Sequence, residues 1–161
     1  MKYLIGQEEQ EALIFIDMAA KIALSSPCFR SRCGSVIVKN NKVIGSGFNS
    51  PPKGKVLSHC LKDDLPKDFK SDRTCCIHAE QRAIMDALQN NHKEIIGSRL
   101  YFIRLDETGK KTRAGDLYCT ICSKMALDAG LAEFVLWQEK GICVYNTDEY
   151  NNLSFLYKEK P

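Results

Sequence analysis

His78-Ala79-Glu80-Gln81-Arg82-Ala83-Ile84 and the later run Cys119-Thr120-Ile121-Cys122 decide how this chain is read. Each opens a stretch of helical periodicity. Ala83, Ile84, Ala87 and Leu88 form one apolar stripe over residues 79–89, and residues 120–128 form a second helix, ended by Gly130 in the C-cap role. His78, Cys119 and Cys122 suffice to hold a zinc ion and leave its fourth position open. A structural zinc site is closed by four protein ligands, whereas a catalytic one keeps an open position. The partial positive charge of a helix N-terminus lowers a thiol's pKa and favours the thiolate that binds zinc. Glu80 stands two residues past the histidine, near the metal without being a ligand, where a carboxyl can move protons. The competing reading is a closed structural site that recruits two more of the eight cysteines, and it has no use for Glu80.

Outside these runs, residues 7–25 read as a first helix because Ala12, Phe15, Ala19, Ile22 and Ala23 recur at helical spacing, and Pro27 stops it. Gly34-Ser35-Val36-Ile37-Val38 reads as a strand, Asn40-Asn41 as a turn, and Lys42-Val43-Ile44-Gly45-Ser46-Gly47 as the return strand of a hairpin. Residues 50–74, with Pro51-Pro52, Gly54 and Pro66, form a long polar loop. A loop of that length in a compact domain is usually functional or mobile. Leu100-Tyr101-Phe102-Ile103, Glu133-Phe134-Val135-Leu136-Trp137 and Ile142-Cys143-Val144-Tyr145 supply further strands, and residues 148–156 a short terminal helix. Cys143 alternates with Ile142 and Val144 and reads as a packed thiol. The strand–helix–strand steps imply an α/β protein: a mixed sheet of about five strands with helices on both faces, forming one domain over residues 1–161.

Hydrophobic residues are 44% of the chain and charged residues 27%, a globular balance. A formal net charge of +3, without a long basic run, argues against a nucleic-acid partner. Residues 1–10 lack the pattern of a secretory signal, and no apolar run approaches bilayer length, so no membrane partner and a cytoplasmic location are expected. In a reducing compartment, cysteines at metal-like spacing read as ligands rather than disulfides.

Together the two opening runs resemble the H-x-E…P-C-x-x-C signature of the zinc-dependent cytidine and deoxycytidylate deaminases. The resemblance extends over about residues 17–137. Gly34-Ser35-Val36-Ile37-Val38 followed by Gly45-Ser46-Gly47-Phe48-Asn49 looks like that family's first two strands and its Gly-aromatic-Asn ending. The resemblance implies a three-layer α/β/α cytidine-deaminase-like fold. It implies zinc on His78, Cys119 and Cys122, and makes Glu80 the group that takes a proton from the attacking water and later protonates the departing ammonia. Asn49 matches the position that hydrogen-bonds the sugar or base, and the Ala79 backbone N–H would meet the base carbonyl. Family members commonly form homo-oligomers.

Two features depart from the pattern. Tyr118 stands where the family places proline before the first cysteine, and it would reshape the pocket floor. Residues 104–117 are inserted after the third strand, carrying Arg104, Lys110, Lys111 and Arg113. Arg104 and Arg113 are candidates to hold a substrate phosphate, which suits arginine's bidentate geometry; the competing reading is a solvated hairpin tip. Some deoxycytidylate deaminases hold a second, structural zinc. Cys28, Cys60 and Cys76 fall at similar places, with His59 or Cys75 as the fourth ligand; the alternative is reduced thiols packed under the loop.

The expected activity is hydrolytic deamination of a cytosine nucleotide, dCMP to dUMP with release of ammonia. The alternatives are deamination of another base, of the tRNA adenosine, guanine or pterin type, and a non-catalytic zinc-stabilised binding module. The small net charge weighs against the nucleic-acid substrate, and the intact Glu80 against the module.

Overall fold

Asn40 and Asn41 both take positive φ, 49° and 59°, the conformation of a two-residue hairpin turn that matches strand twist. They join β2 (Arg32–Lys39) to β3 (Lys42–Phe48), which pair antiparallel. The computed structural model describes residues 1–66 and 75–157. The remaining elements are β1 (Lys2–Tyr3), α1 (Gln7–Ala23), α2 (Ala79–Asn90), β4 (Arg99–Leu105), β5 (Lys111–Thr112), α3 (Thr120–Asp128), β6 (Glu133–Gln138), β7 (Gly141–Asn146) and α4 (Thr147–Phe155). The sheet runs β1-β7-β6-β4-β2-β3, with β5 added to β4. β4 and β6 are parallel and every other pair is antiparallel. Among the described residues the sheet has seven strands rather than about five. The additions, β1 and β5, are two residues long, too short for periodicity to show.

One face of the sheet is covered by α1, whose Phe15, Ile16 and Ala19 pack on Val36, Tyr101, Ile103 and Val135. Glu8 and Glu9 in its first turn and Lys21 in its last complement the helix dipole. The other face carries α2, α3 and α4, with Ala83, Ile84, Ala87, Ala126 and Tyr150 buried around Ile37, Leu100, Phe134 and Leu136. The result is the expected α/β/α layering. Leu88, expected in the buried stripe of α2, is instead 41% exposed. It lies one residue, about 100° of helix turn, past Ala87, beyond the face that meets the sheet.

Gly47 decides how close α2 comes. A β-carbon there would lie 2.6 Å from the Ala79 carbonyl oxygen and 2.6 Å from the Ala83 nitrogen. Only glycine lets β3 touch the backbone of α2's first turn, which carries Glu80. Of the long loop, residues 67–74 lie outside the described residues. The described part makes two short 3₁₀ turns, Pro52–Gly54 and Leu61–Asp64, and its start is pinned by a bridge between Ser50 and Ile77. Residues 104–117 form a hairpin, with β5 folded back on β4 and Asp106 Oδ1 accepting from the Thr108 and Lys110 backbone N–H groups. Among the described residues, no helix is long and apolar enough to cross a membrane.

Candidate active site

The N-terminal ends of α2 and α3 converge on one pocket. His78 is the N-cap of α2 and Cys119 the N-cap of α3; Glu80 and Cys122 lie in the first turns of those helices. His78 Nδ1 is 3.3 Å from both Cys119 Sγ and Cys122 Sγ, and the two sulfurs are 2.9 Å apart. Cys122 is fully buried and Cys119 nearly so. The backbone brings the group together: the His78 N–H donates to Gln81 Oε1 at 2.9 Å, and the Cys122 N–H donates to Cys119 Sγ at 3.4 Å.

The electrostatics favour a cation. Cys119 is pushed down to about 4, first by its hydrogen bond with Cys122 and then by that with His78. Cys122 is raised in turn by sharing with Cys119 and by burial. His78 is raised by its hydrogen bond with Cys119. One imidazole and two sulfurs, one of them anionic, fit the donor set of a catalytic zinc centre. Among the described residues this is the one group of three or more such side chains whose ligand atoms lie within 4.8 Å of one another.

Glu80 is only 7% exposed, and burial raises its carboxyl above the ordinary value, with the Cys119 charge adding to the shift. The carboxyl lines the same pocket as His78, Ala79, Asn49 and Tyr118. Ala79 is the first residue of α2, so its N–H has no intrahelical acceptor and is available to a ligand.

Asn49 lies at the pocket, but its amide is largely engaged. Its Oδ1 accepts from the Cys33 N–H at 2.7 Å and from Ser26 Oγ at 2.8 Å, and its Nδ2 donates to the Ser31 carbonyl at 3.0 Å. One N–H of the amide remains for a ligand. The side chain therefore splices the ends of β3 and α1 together while offering the pocket a single donor.

The two arginines of the insertion part company. Arg104 follows Phe102 by two residues on β4, so both face the pocket and line it. Among the described residues, its buried Nε has no hydrogen-bond partner. Arg113 is not brought to the pocket. After β5 turns back, its guanidinium stacks 3.5 Å from the centre of the Trp137 ring and donates to the Gln138 carbonyl at 3.3 Å. Its expected place at the substrate is corrected accordingly: the hairpin spends it on packing.

Cys28, Cys60, Cys75 and Cys76 border the active pocket and also line a second cavity beneath the long loop, with the Cys75 and Cys76 sulfurs 3.8 Å apart. They are not drawn to the spacing of the first group. His59 borders that cavity, but it is exposed and its ring nitrogens face Ser58 at 3.2 Å and Asp64 at 2.7 Å.

Sequence reasoning missed Arg30, Ser31, Lys62 and Phe102, which also line the active pocket. Phe102 was open to discovery by the two-residue period of β4. Arg30 and Lys62 arrive through loop packing, with Arg30 bonded to Asp63 at 2.6 Å, and leave no local signal.

An α/β/α sandwich with a His/Cys/Cys metal centre and a buried carboxylate beside it defines a metal-dependent hydrolytic site. The family model of the cytidine and deoxycytidylate deaminase zinc-binding region matches residues 9–138, and the chain belongs to that family. The deoxycytidylate deaminase of Mycobacterium phage D29 is 31% identical over 133 residues, 78% of this chain and 92% of that protein. The human deoxycytidylate deaminase is 27% identical over 152 residues, 89% of this chain and 71% of its own length. Among solved structures, the dCMP deaminase of cyanophage S-TIM5 in complex with dCMP and dUMP superposes with a TM-score of 0.55 at 25% identity, covering 81% of this chain and 82% of that one. The cytidine deaminase of Burkholderia pseudomallei shares the fold at a TM-score of 0.55 and 16% identity, over 86% of this chain and 94% of that one.

Proposed function

We propose that this protein is a zinc-dependent hydrolytic deaminase that converts dCMP to dUMP and releases ammonia. The observation that carries the reading is the buried Glu80 carboxyl beside the His78/Cys119/Cys122 group in one pocket. His78, Cys119 and Cys122 would hold the zinc, which would supply the Lewis acidity that activates water near neutral pH. Glu80 takes one proton from the attacking water and delivers it to the ring nitrogen; it then takes the remaining proton of the added hydroxyl and passes it to the amine, which leaves as ammonia as the exocyclic C–N bond breaks and the carbonyl forms. Such a group must bind and release a proton near neutrality, and burial moves Glu80 in that direction. The Ala79 N–H donates to the base carbonyl, Asn49 offers its remaining N–H to the sugar or base, and Tyr118 walls the base. Arg104 meets the phosphate; its unpartnered buried Nε supports that role.

An ammonia-release screen over cytosine, adenine and guanine bases, nucleosides and monophosphates tests the reading. The highest kcat/KM is expected for dCMP; a guanine or adenine substrate in first place would overturn it.

The same reading includes a second, structural zinc on Cys28, Cys60, Cys75 and Cys76, without His59. Its support is four thiols sharing one cavity. It also includes a homo-oligomer in the cytoplasm. The exposed Ile121, Phe155 and Leu156 support a contact between copies, which sedimentation at two concentrations would test.

A further inference from the structure

We propose that Tyr157 is a positioning residue: through its contact with Tyr118 it holds one wall of the nucleotide pocket, so that α4 sets the pocket's width. What the pocket takes rests on the deaminase reading; the contact itself does not. Tyr118 lines the pocket together with Glu80 and Arg104 and directly precedes Cys119. It is nonetheless 48% exposed, so its outer face has little protein against it. The Tyr157 ring packs against it: the centroids are 5.6 Å apart and the planes tilted by 46°, within the range of attractive aromatic pairs.

Tyr157 lies just past the end of α4, and α4 is fastened at its other contacts. Tyr150 stacks on Phe134 of β6 at 4.0 Å, and Ser123 Oγ donates to Asn151 Oδ1 at 2.8 Å. Ser123 belongs to α3, the helix that Cys119 caps. The contacts thus close a loop from Tyr118 through α3 to α4 and back through Tyr157. A tyrosine has two rotatable side-chain bonds and swings unless something stops it.

The test is a double-mutant cycle on the full chain, read by steady-state kinetics with dCMP and by amide hydrogen exchange of residues 114–120. Tyr157→Ala is expected to raise KM about 2- to 10-fold, the span of one aromatic pair, with a smaller change in kcat and unchanged zinc content. Tyr157→Phe is expected to behave as the parent. In a Tyr118→Ala background, Tyr157→Ala is expected to add nothing, because it acts through the missing ring. An unchanged KM in the parent background, or an equal rise in both backgrounds, overturns the proposal. Should the parent chain leave dCMP untouched, the deaminase reading fails instead, and exchange decides the contact: faster exchange of residues 114–120 in Tyr157→Ala supports it, and an unchanged rate overturns it.

Discussion

His78 Nδ1 lies 3.3 Å from Cys122 Sγ although 44 residues separate them. Two helix N-termini are therefore held together at the pocket, and an ion bound there ties α2 to α3. Cys122→Ser is expected to bind one zinc fewer than the parent and to melt at a lower temperature, since a ligand that binds only the folded chain stabilises it by mass action. Metal analysis alongside a thermal melt checks this; equal zinc content in the two proteins counts against the ligand assignment.

Glu80 separates binding from turnover. Glu80→Gln keeps the side chain's size and removes its ability to carry a proton. The expected result is parental zinc content with kcat lowered about 100- to 10,000-fold, the usual contribution of general acid–base catalysis. Turnover at the parental rate would sink the proton-transfer role.

Arg104 and Arg113 make a paired experiment. Arg104→Gln is expected to raise KM for dCMP about 10- to 100-fold, as charge-assisted hydrogen bonds are worth roughly 1.5–3 kcal/mol, with little change for deoxycytidine. Arg113→Gln loses a stacking contact on Trp137 and leaves the ratio of KM values for the two substrates unchanged. An equal rise for nucleotide and nucleoside in the Arg104 variant would remove its phosphate role.

Gly47 tests the coupling of fold to site. Gly47→Ala forces β3 and α2 apart, because the new carbon meets the backbone at Ala79 and Ala83. Overpacking of this kind costs about 1–3 kcal/mol. The variant is expected to lose midpoint stability in a urea titration and to lower kcat as Glu80 shifts. A fully active, equally stable variant would show that the close approach is dispensable.

The four thiols under the loop predict a second ion. The parent is expected to carry two zinc ions per chain when purified without chelator, and Cys60→Ser one, with dCMP turnover reduced less than in Glu80→Gln. A parental stoichiometry near one eliminates this site.

The helix starts at Ala79 and Thr120 are legible because capping, periodicity and the Gly130 stop are local signals. The Asn40-Asn41 turn is legible for the same reason. Leu88 misleads because a stripe one residue too wide has the same period. The fate of Asn49 is hidden, because its partners come from elsewhere in the chain: Ser26 and Ser31 from the segment between α1 and β2, and Cys33 from the start of β2.

By itself the sequence determined the local donor pairs: residue types at fixed short spacing within one helical turn place a histidine near a carboxylate and two cysteines near each other, and local geometry changes little with context. Tertiary structure alone decided which longer-range candidates reach the pocket. Arg104 and Arg113 are nine residues apart in the same insertion, yet β5 reverses the chain between them and sends one to the pocket and the other to Trp137. Tyr157 meets Tyr118 only because α4 packs against α3. Such placements depend on strand pairing and helix packing between distant segments, a free-energy balance that no local spacing encodes.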